Sequence, residues 1–176
     1  MMFKKIYKFF LKHKNPKKYA KKAGVNFVDM HIYGFVDWGT EPWIISIGKN
    51  VFITDGVKFI THDGGTLLFR DRCPDLDITS HITIGDNVYI GNNVLILPGV
   101  TIGNNVIVGA GSVVSKSIPD DSVVVGVPAK VIESFEEYFI KAKTKSTHLG
   151  HLKAEEKDKA LKKYFKYNGK SKGIYF

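Results

Sequence analysis

The 176-residue sequence holds one cysteine, Cys73. A single thiol forms no internal disulfide and no thiolate metal cluster, so a disulfide-stapled secreted domain is excluded and the reducing cytoplasm is the expected setting. Long apolar runs are missing as well: nothing approaches the roughly 20 residues of a membrane span. At the start of the chain Lys4, Lys5, Lys8 and Lys12 break up every apolar stretch, so no secretory signal is expected. There is no GxxxxGKS/T phosphate loop and no GxGxxG opening a helix, which removes the nucleotide-binding folds. Residues 82 to 147 contain no histidine. That leaves a zinc hydrolyase without the three converging ligands it needs, and no metal is expected. The length suits one domain and leaves no room for a two-domain kinase, dehydrogenase or nucleotidyltransferase.

Acidic residues are missing from the first 22 positions, and both ends of the chain are basic. Residues 1 to 22 hold nine Lys and no acid, residues 23 to 132 six Lys or Arg against eleven acids, and residues 133 to 176 eleven Lys against six, for a net charge of +9. A mildly acidic body argues against a nucleic-acid partner, which would draw positive potential onto the folded surface. Phe3, Ile6, Tyr7 and Phe10 recur at helical spacing among the N-terminal lysines, predicting a short amphipathic helix within residues 1–22 that stops near Asn15 and Pro16. Its aromatic face packs either on its own fold or a neighbouring subunit, or on an anionic membrane surface; the second choice would set the protein at the inner face of the membrane.

What is abundant is a repeat. Ile84, Ile90, Ile96, Ile102, Val108 and Val114 fall six residues apart, followed one place later by Gly85, Gly91, Leu97, Gly103, Gly109 and Ser115, and four places later by Val88, Val94, Val100, Val106, Ser112 and Ile118. An earlier block carries the same frame from Ile47 through Ile53 to Phe59. A period of six is neither helical nor that of a long strand; it means a short extended run, a turn, and another short run pointing the same way. The turn pairs Asp86-Asn87, Asn92-Asn93, Pro98-Gly99, Asn104-Asn105 and Ala110-Gly111 are mostly types that accept a left-handed backbone. Three such edges close a triangular coil of 18 residues around a stack of Ile, Leu and Val. The fold class is therefore an all-β solenoid.

The run IGDNVYIGNNVLILPGVTIGNNVIVGAGSVVSKSIPDDSVVVGVPAKVI resembles the hexapeptide-repeat acyltransferases, and VDWGTEPWIISIGKNVFITDGVKFITHDGGTLLFRDRCPD resembles their polysaccharide and lipopolysaccharide O-acetyltransferase branch. The resemblance covers about residues 24 to 132. It implies a left-handed parallel β-helix over residues 23–132, a homotrimer with active sites between subunits, and acetyl-coenzyme A as co-substrate. Residues 133–176, with EEYFIKAK and KAEEKDKALKKYF, read as a C-terminal helical cap over the open end of the coil, ending in a basic tail.

The repeat breaks once, at an inserted loop over residues 65–81, and such insertions commonly line the binding face. Moving an acetyl group to an alcohol needs a base for the hydroxyl proton, a task that suits His near neutral pH. Of six histidines His62 is the best placed, at the mouth of the loop, and the resemblance implies a general base at this junction with direct transfer in a ternary complex. His81 lies at the loop's far end, while His13, His31, His148 and His151 read as surface or packing residues, His31 ahead of the coils. Asp63, Trp38, Glu41 and His81 are candidates for contact with the acceptor, Trp38 and Glu41 preceding the first clear coil along with Trp43. Cys73 lacks a partner base and is no candidate nucleophile. By resemblance the cofactor falls to Gly109, Ala110, Lys116, Pro128, Ala129 and Lys130, with Tyr89 beside the thioester. The expected function is O-acetylation of a sugar hydroxyl in a surface polysaccharide or its precursor. The rivals are a small acceptor (xenobiotic, free sugar, amino sugar or serine) and a non-catalytic scaffold.

Overall fold

In the computed structural model, which describes residues 14–169, helix α1 (Pro16–Ala23) leads into strands β1 (Asn26–Phe27), β2 (Met30–Ile32) and β3 (Val36–Asp37). A second set follows, β4 (Ile45–Ile47), β5 (Val51–Ile53) and β6 (Val57–Phe59), and then the inserted loop. Beyond it come β7 (Ile82–Ile84), β8 (Val88–Ile90), β9 (Leu95–Ile96), β10 (Thr101–Ile102), β11 (Val106–Val108), β12 (Val113–Val114) and β13 (Ser122–Val125). Up to β12 every third strand stacks in parallel on the one before, and β13 then stacks on β11, so that β1-β4-β7-β10 form face A, β2-β5-β8-β11-β13 face B and β3-β6-β9-β12 face C. Strand β14 (Lys130–Ser134) closes face B antiparallel to β13.

The inward residues are those the repeat marks. Ile84, Ile90, Ile96, Ile102, Val108 and Val114 are buried, as are Val88, Val94, Val100, Val106, Ser112 and Ile118. The turns carry the expected backbone: Asn87, Asn93 and Asn105 have φ of 56°, 59° and 54°, with Gly99 at 78° and Gly111 at 71°. At the corner between faces A and B the asparagines also bond to one another. Asn50 donates to Asn87 (2.9 Å), Asn87 to Asn105 (2.8 Å) and Asn105 to Asp121 (2.8 Å), a side-chain ladder that satisfies polar groups the turn would otherwise leave between coils. Where a glycine follows an inward residue it serves close approach. A Cβ on Gly85 would stand 2.7 Å from the Gly103 carbonyl oxygen of the next coil.

One expectation is corrected: His31, expected ahead of the coils, lies on β2 of a first full turn made by β1–β3, its ring stacked on Phe52 at 4.7 Å. The signal missed was Met30 and Val36, buried and six apart. Lys14 is helical and Asn15 is not, so a helix stops where the sequence places the stop, and Pro16 opens the next one. Asn15 caps α1 by accepting from the Lys18 amide (3.0 Å), Pro16 occupies the first turn, where its missing N–H costs nothing, and Gly24 ends the helix at φ 107°. Phe3, Ile6, Tyr7 and Phe10, the apolar face of the helix expected within residues 1–22, and most of the basic tail lie outside the described residues.

The chain divides into two compact units between Tyr138 and Phe139. Helix α2 (Phe135–Lys145) starts from a capping box, in which Ser134 donates its amide and hydroxyl to Glu137 (2.7 and 2.8 Å) and its Oγ accepts from the Glu137 amide (3.2 Å). In the second unit, helix α3 (Ala154–Tyr164) shows the charge order read from the sequence, with Glu155–Lys159 (3.1 Å) and Asp158–Lys162 (2.6 Å) paired at i,i+4.

Candidate active site

The corner where face C turns into face A holds His62, the candidate base. Consecutive coils are normally 18 residues apart, as in Asn87 to Asn105. Between β3 and β6 the step is 21 residues, because a 3-10 turn at Pro42–Ile44 lengthens the lower corner. That longer step sets Glu41, and not Ile44, directly beneath His62.

The result is a compact polar group. Three donors converge on Glu41 Oε2: Thr61 Oγ1 at 2.5 Å, Thr40 Oγ1 at 2.7 Å and His62 Nδ1 at 3.1 Å. Thr40 Oγ1 also stands 3.1 Å from His62 Nδ1. Thr61 is fully buried, so its hydroxyl has no water to exchange with, while the His62 side chain is 44% exposed. A carboxylate at Nδ1 selects the tautomer with the proton there and leaves the Nε2 lone pair free toward solvent. The hydroxyls of Thr61 and Thr40, helped by the His62 ring and opposed by partial burial, hold the Glu41 carboxyl below the ordinary glutamate range.

A depressed folded-state value contributes stability that is present above the unfolded value and disappears as pH falls through the folded one. Glu41→Gln should therefore unfold at lower urea than the natural chain at pH 7, with the gap narrowing as pH drops below about 4.3. Urea midpoints at pH 7 and pH 4 check this; an equal gap at both values would mean that the ionised carboxylate adds nothing.

The loop is pinned at its root. His62 and Thr79 form an antiparallel bridge, the Ser80 amide donates to Thr61 O (3.0 Å) and the Asp63 amide to Ile78 O (2.9 Å). Asp63 turns its carboxylate onto the Gly65 amide (2.9 Å) and caps the 3-10 helix Gly64–Phe69. His81 is exposed just before β7, two residues beyond the bridge to His62. Trp38 is corrected: it is 3% exposed and stacked on Phe59 at 4.9 Å, a core ring with no face to offer a sugar. Trp43 is the exposed indole of that segment.

The residues expected at the cofactor are partly gathered. Gly109, Ala110 and Gly111 form a corner between faces B and C, and the turn over residues 126–129, with a cis Val127–Pro128 bond, lies on it. Ser112 Oγ accepts from the Gly126 amide (3.1 Å), and the Ala129 amide donates to Val113 O (2.8 Å). Lys130 follows at the start of β14 and is exposed. A Cβ at Gly111 would meet nothing within 4 Å, so this corner presents open backbone. Lys116 sits instead at the C-to-A corner, and Tyr89 on face B in a groove of about 390 Å³ lined by Phe52, Ile107, Phe135 and Tyr138. In one protomer, then, His62 and the Gly109–Gly111 corner occupy opposite ends of face C. Among the described residues, no three His, Cys, Asp or Glu side chains are grouped to hold a metal ion, and no helix is long and apolar enough to cross a membrane.

The family profile described as bacterial transferase hexapeptide (six repeats) matches residues 81–116. Protein CapG of Staphylococcus aureus is 45% identical over 168 residues, covering 94% of this chain and 98% of CapG. WbbJ of Escherichia coli K12, provisionally named a lipopolysaccharide biosynthesis O-acetyl transferase, is 39% identical over 99 residues, about half of each chain. Among solved structures, a galactoside acetyltransferase in complex with coenzyme A superposes with a TM-score of 0.57 at 29% identity, covering 86% of both chains. A maltose O-acetyltransferase from Clostridium difficile 630 gives 0.56 at 26%, covering 76% of this chain and 84% of that one. A hexapeptide-repeat acetyltransferase of Vibrio cholerae O1 biovar eltor, complexed with acetyl-coenzyme A, gives 0.55 at 26%, covering 73% and 82%.

Proposed function

The chain belongs to the hexapeptide-repeat acyltransferases, and from that membership we propose that it transfers an acetyl group from acetyl-coenzyme A to a sugar hydroxyl of a surface polysaccharide or its precursor, with His62 as general base. The observation that carries this reading is the Glu41–His62 pair at the root of the one inserted loop. With Nδ1–H donated to Glu41, the Nε2 lone pair can take the acceptor's hydroxyl proton while the oxygen attacks the thioester carbonyl. The carboxylate stabilises the imidazolium that forms, and the proton then leaves with the thiolate as coenzyme A thiol. Glu41, expected from the sequence to touch the acceptor, becomes on this reading a positioning residue for the base.

The residues at the face B-to-C corner suit the cofactor. Open backbone at Gly111 and the amide-bonded 126–129 turn fit a pantetheine arm, and Lys130, with Lys116 on the other corner, offers charge for phosphate. Because His62 and this corner are at opposite ends of face C, a complete site is built when the base of one protomer meets the cofactor corner of a neighbour. That requirement supports a trimer of coils, for which the family implies a left-handed winding.

Acetyl-coenzyme A should raise the melting temperature of the protein, since a ligand bound only by the folded state stabilises it by linkage. The shift should shrink in a Lys116→Ala, Lys130→Ala double variant. No shift at millimolar acetyl-coenzyme A would remove the transferase reading in favour of a scaffold.

A further inference from the structure

Only two of the 26 cationic Lys and Arg residues are arginines, and both, Arg70 and Arg72, lie in the inserted loop. The loop leaves the coil at His62 and returns to it through Thr79 and Ser80, so whatever it displays is anchored at the candidate base. Arg70 ends the 3-10 helix Gly64–Phe69, and Arg72 lies in the turn that follows. That turn is tied by two amides, of Arg72 (3.0 Å) and Cys73 (2.8 Å), on the Phe69 carbonyl. Both side chains are exposed, and among the described residues neither guanidinium makes an ion pair or a side-chain hydrogen bond.

Carboxylates are close in sequence, which makes the lack of pairing informative. Asp63 is spent on the Gly65 amide (2.9 Å), Asp75 on the Cys73 thiol (3.3 Å) and Asp77 on the Thr79 hydroxyl (2.7 Å). Asp71 stands between the two arginines in sequence and bonds neither. The loop thus uses its acids to hold its own shape and leaves two forked donors to solvent. Guanidinium is the side chain that grips phosphate or carboxylate in a bidentate, directional way, whereas the lysines elsewhere act as point charges.

We propose that Arg70 and Arg72 form an oxyanion-recognition site for the acceptor, so that the sugar acetylated carries a phosphate, diphosphate or carboxylate group. This deepens the acetyl-transfer reading and rests on it for the word acceptor; the oxyanion site itself does not depend on acetyl transfer. The exposed Leu67, Leu68 and Phe69 on the adjoining turn provide an apolar rim, where water competes less for the guanidinium groups.

The test is direct binding of glucose, glucose 1-phosphate, UDP-glucose and glucuronate to the full chain by titration calorimetry. Coenzyme A is kept saturating, so that its own phosphate positions are filled. At least one anionic probe should bind about tenfold or more tighter than glucose, the scale of one charge-assisted hydrogen bond. Arg70→Gln with Arg72→Gln should abolish the preference, and Arg70→Lys with Arg72→Lys should keep part of it. Whether phosphate or carboxylate is preferred identifies the source of the oxyanion. Equal binding of glucose and every anionic probe, or a preference that survives the Gln variant, overturns the proposal. If coenzyme A fails to bind while the arginine-dependent preference persists, the transfer reading falls and the oxyanion site stands. Because both side chains are exposed and unpaired, the variants should melt with the natural chain.

Discussion

Replacing His62 with Ala should lower kcat for acetyl transfer by about a hundredfold to ten-thousandfold, the usual contribution of a positioned general base. The Michaelis constant for acetyl-coenzyme A should stay near its natural value, since the groups proposed to hold the cofactor are the open backbone at Gly111 and the Lys130 and Lys116 side chains, not the His62 ring. Stability should change little: the ring is 44% exposed, and Glu41 keeps the two threonine hydroxyls at 2.5 and 2.7 Å. Thiol release with a sugar acceptor, followed beside a thermal melt, reads both quantities. A variant that folds and turns over at the natural rate would remove His62 from the mechanism and leave the fold assignment intact.

The second large effect is structural. Ile90 is fully buried, with Ile53 on the coil below and Val108 on the coil above as register partners, and its carbonyl accepts from the Thr54 amide (3.1 Å) and hydroxyl (2.9 Å). Cutting this side chain to Ala leaves a hole that coils locked by backbone bonds close only partly, and such changes cost about 2–5 kcal/mol. Against a total stability of roughly 5–15 kcal/mol that is a large share. In a stacked coil each level is supported only by its neighbours, so the damage reaches the coils of β5 and β11. Tyr89→Ala, one residue away but facing outward at 44% exposure, is the control and should cost under about 1 kcal/mol. Urea midpoints at one protein concentration separate the two; equal losses would mean that the hexad positions do not carry the core.

How far the site was legible follows from the same geometry. His62 could be found because it ends a repeat at the only break in the frame, a statement about one position. Glu41 was visible as a carboxylate of interest but its contact with His62 was not, since an 18-residue step from His62 arrives at Ile44. Trp38 and Trp43 could not be told apart by type; the coil buries the first against Phe59 and leaves the second out. The unpaired state of Arg70 and Arg72 is likewise invisible in the chain, where aspartates flank them.

The amino-acid sequence by itself determined the period, the inward set and the turns, because a hexad fixes each residue's environment through its immediate neighbours: an Ile with a Gly after it and an Asn three places on can be stacked in only one way. What only the tertiary structure decided are the relations across coils. The 21-residue step beneath His62, the three donors gathered on one Glu41 oxygen, the first coil at Met30 and Val36, and the separation of His62 from the Gly109–Gly111 corner all depend on which residues come to lie one level apart. A three-residue turn in one corner resets that alignment for everything above it, and no local pattern records the sum.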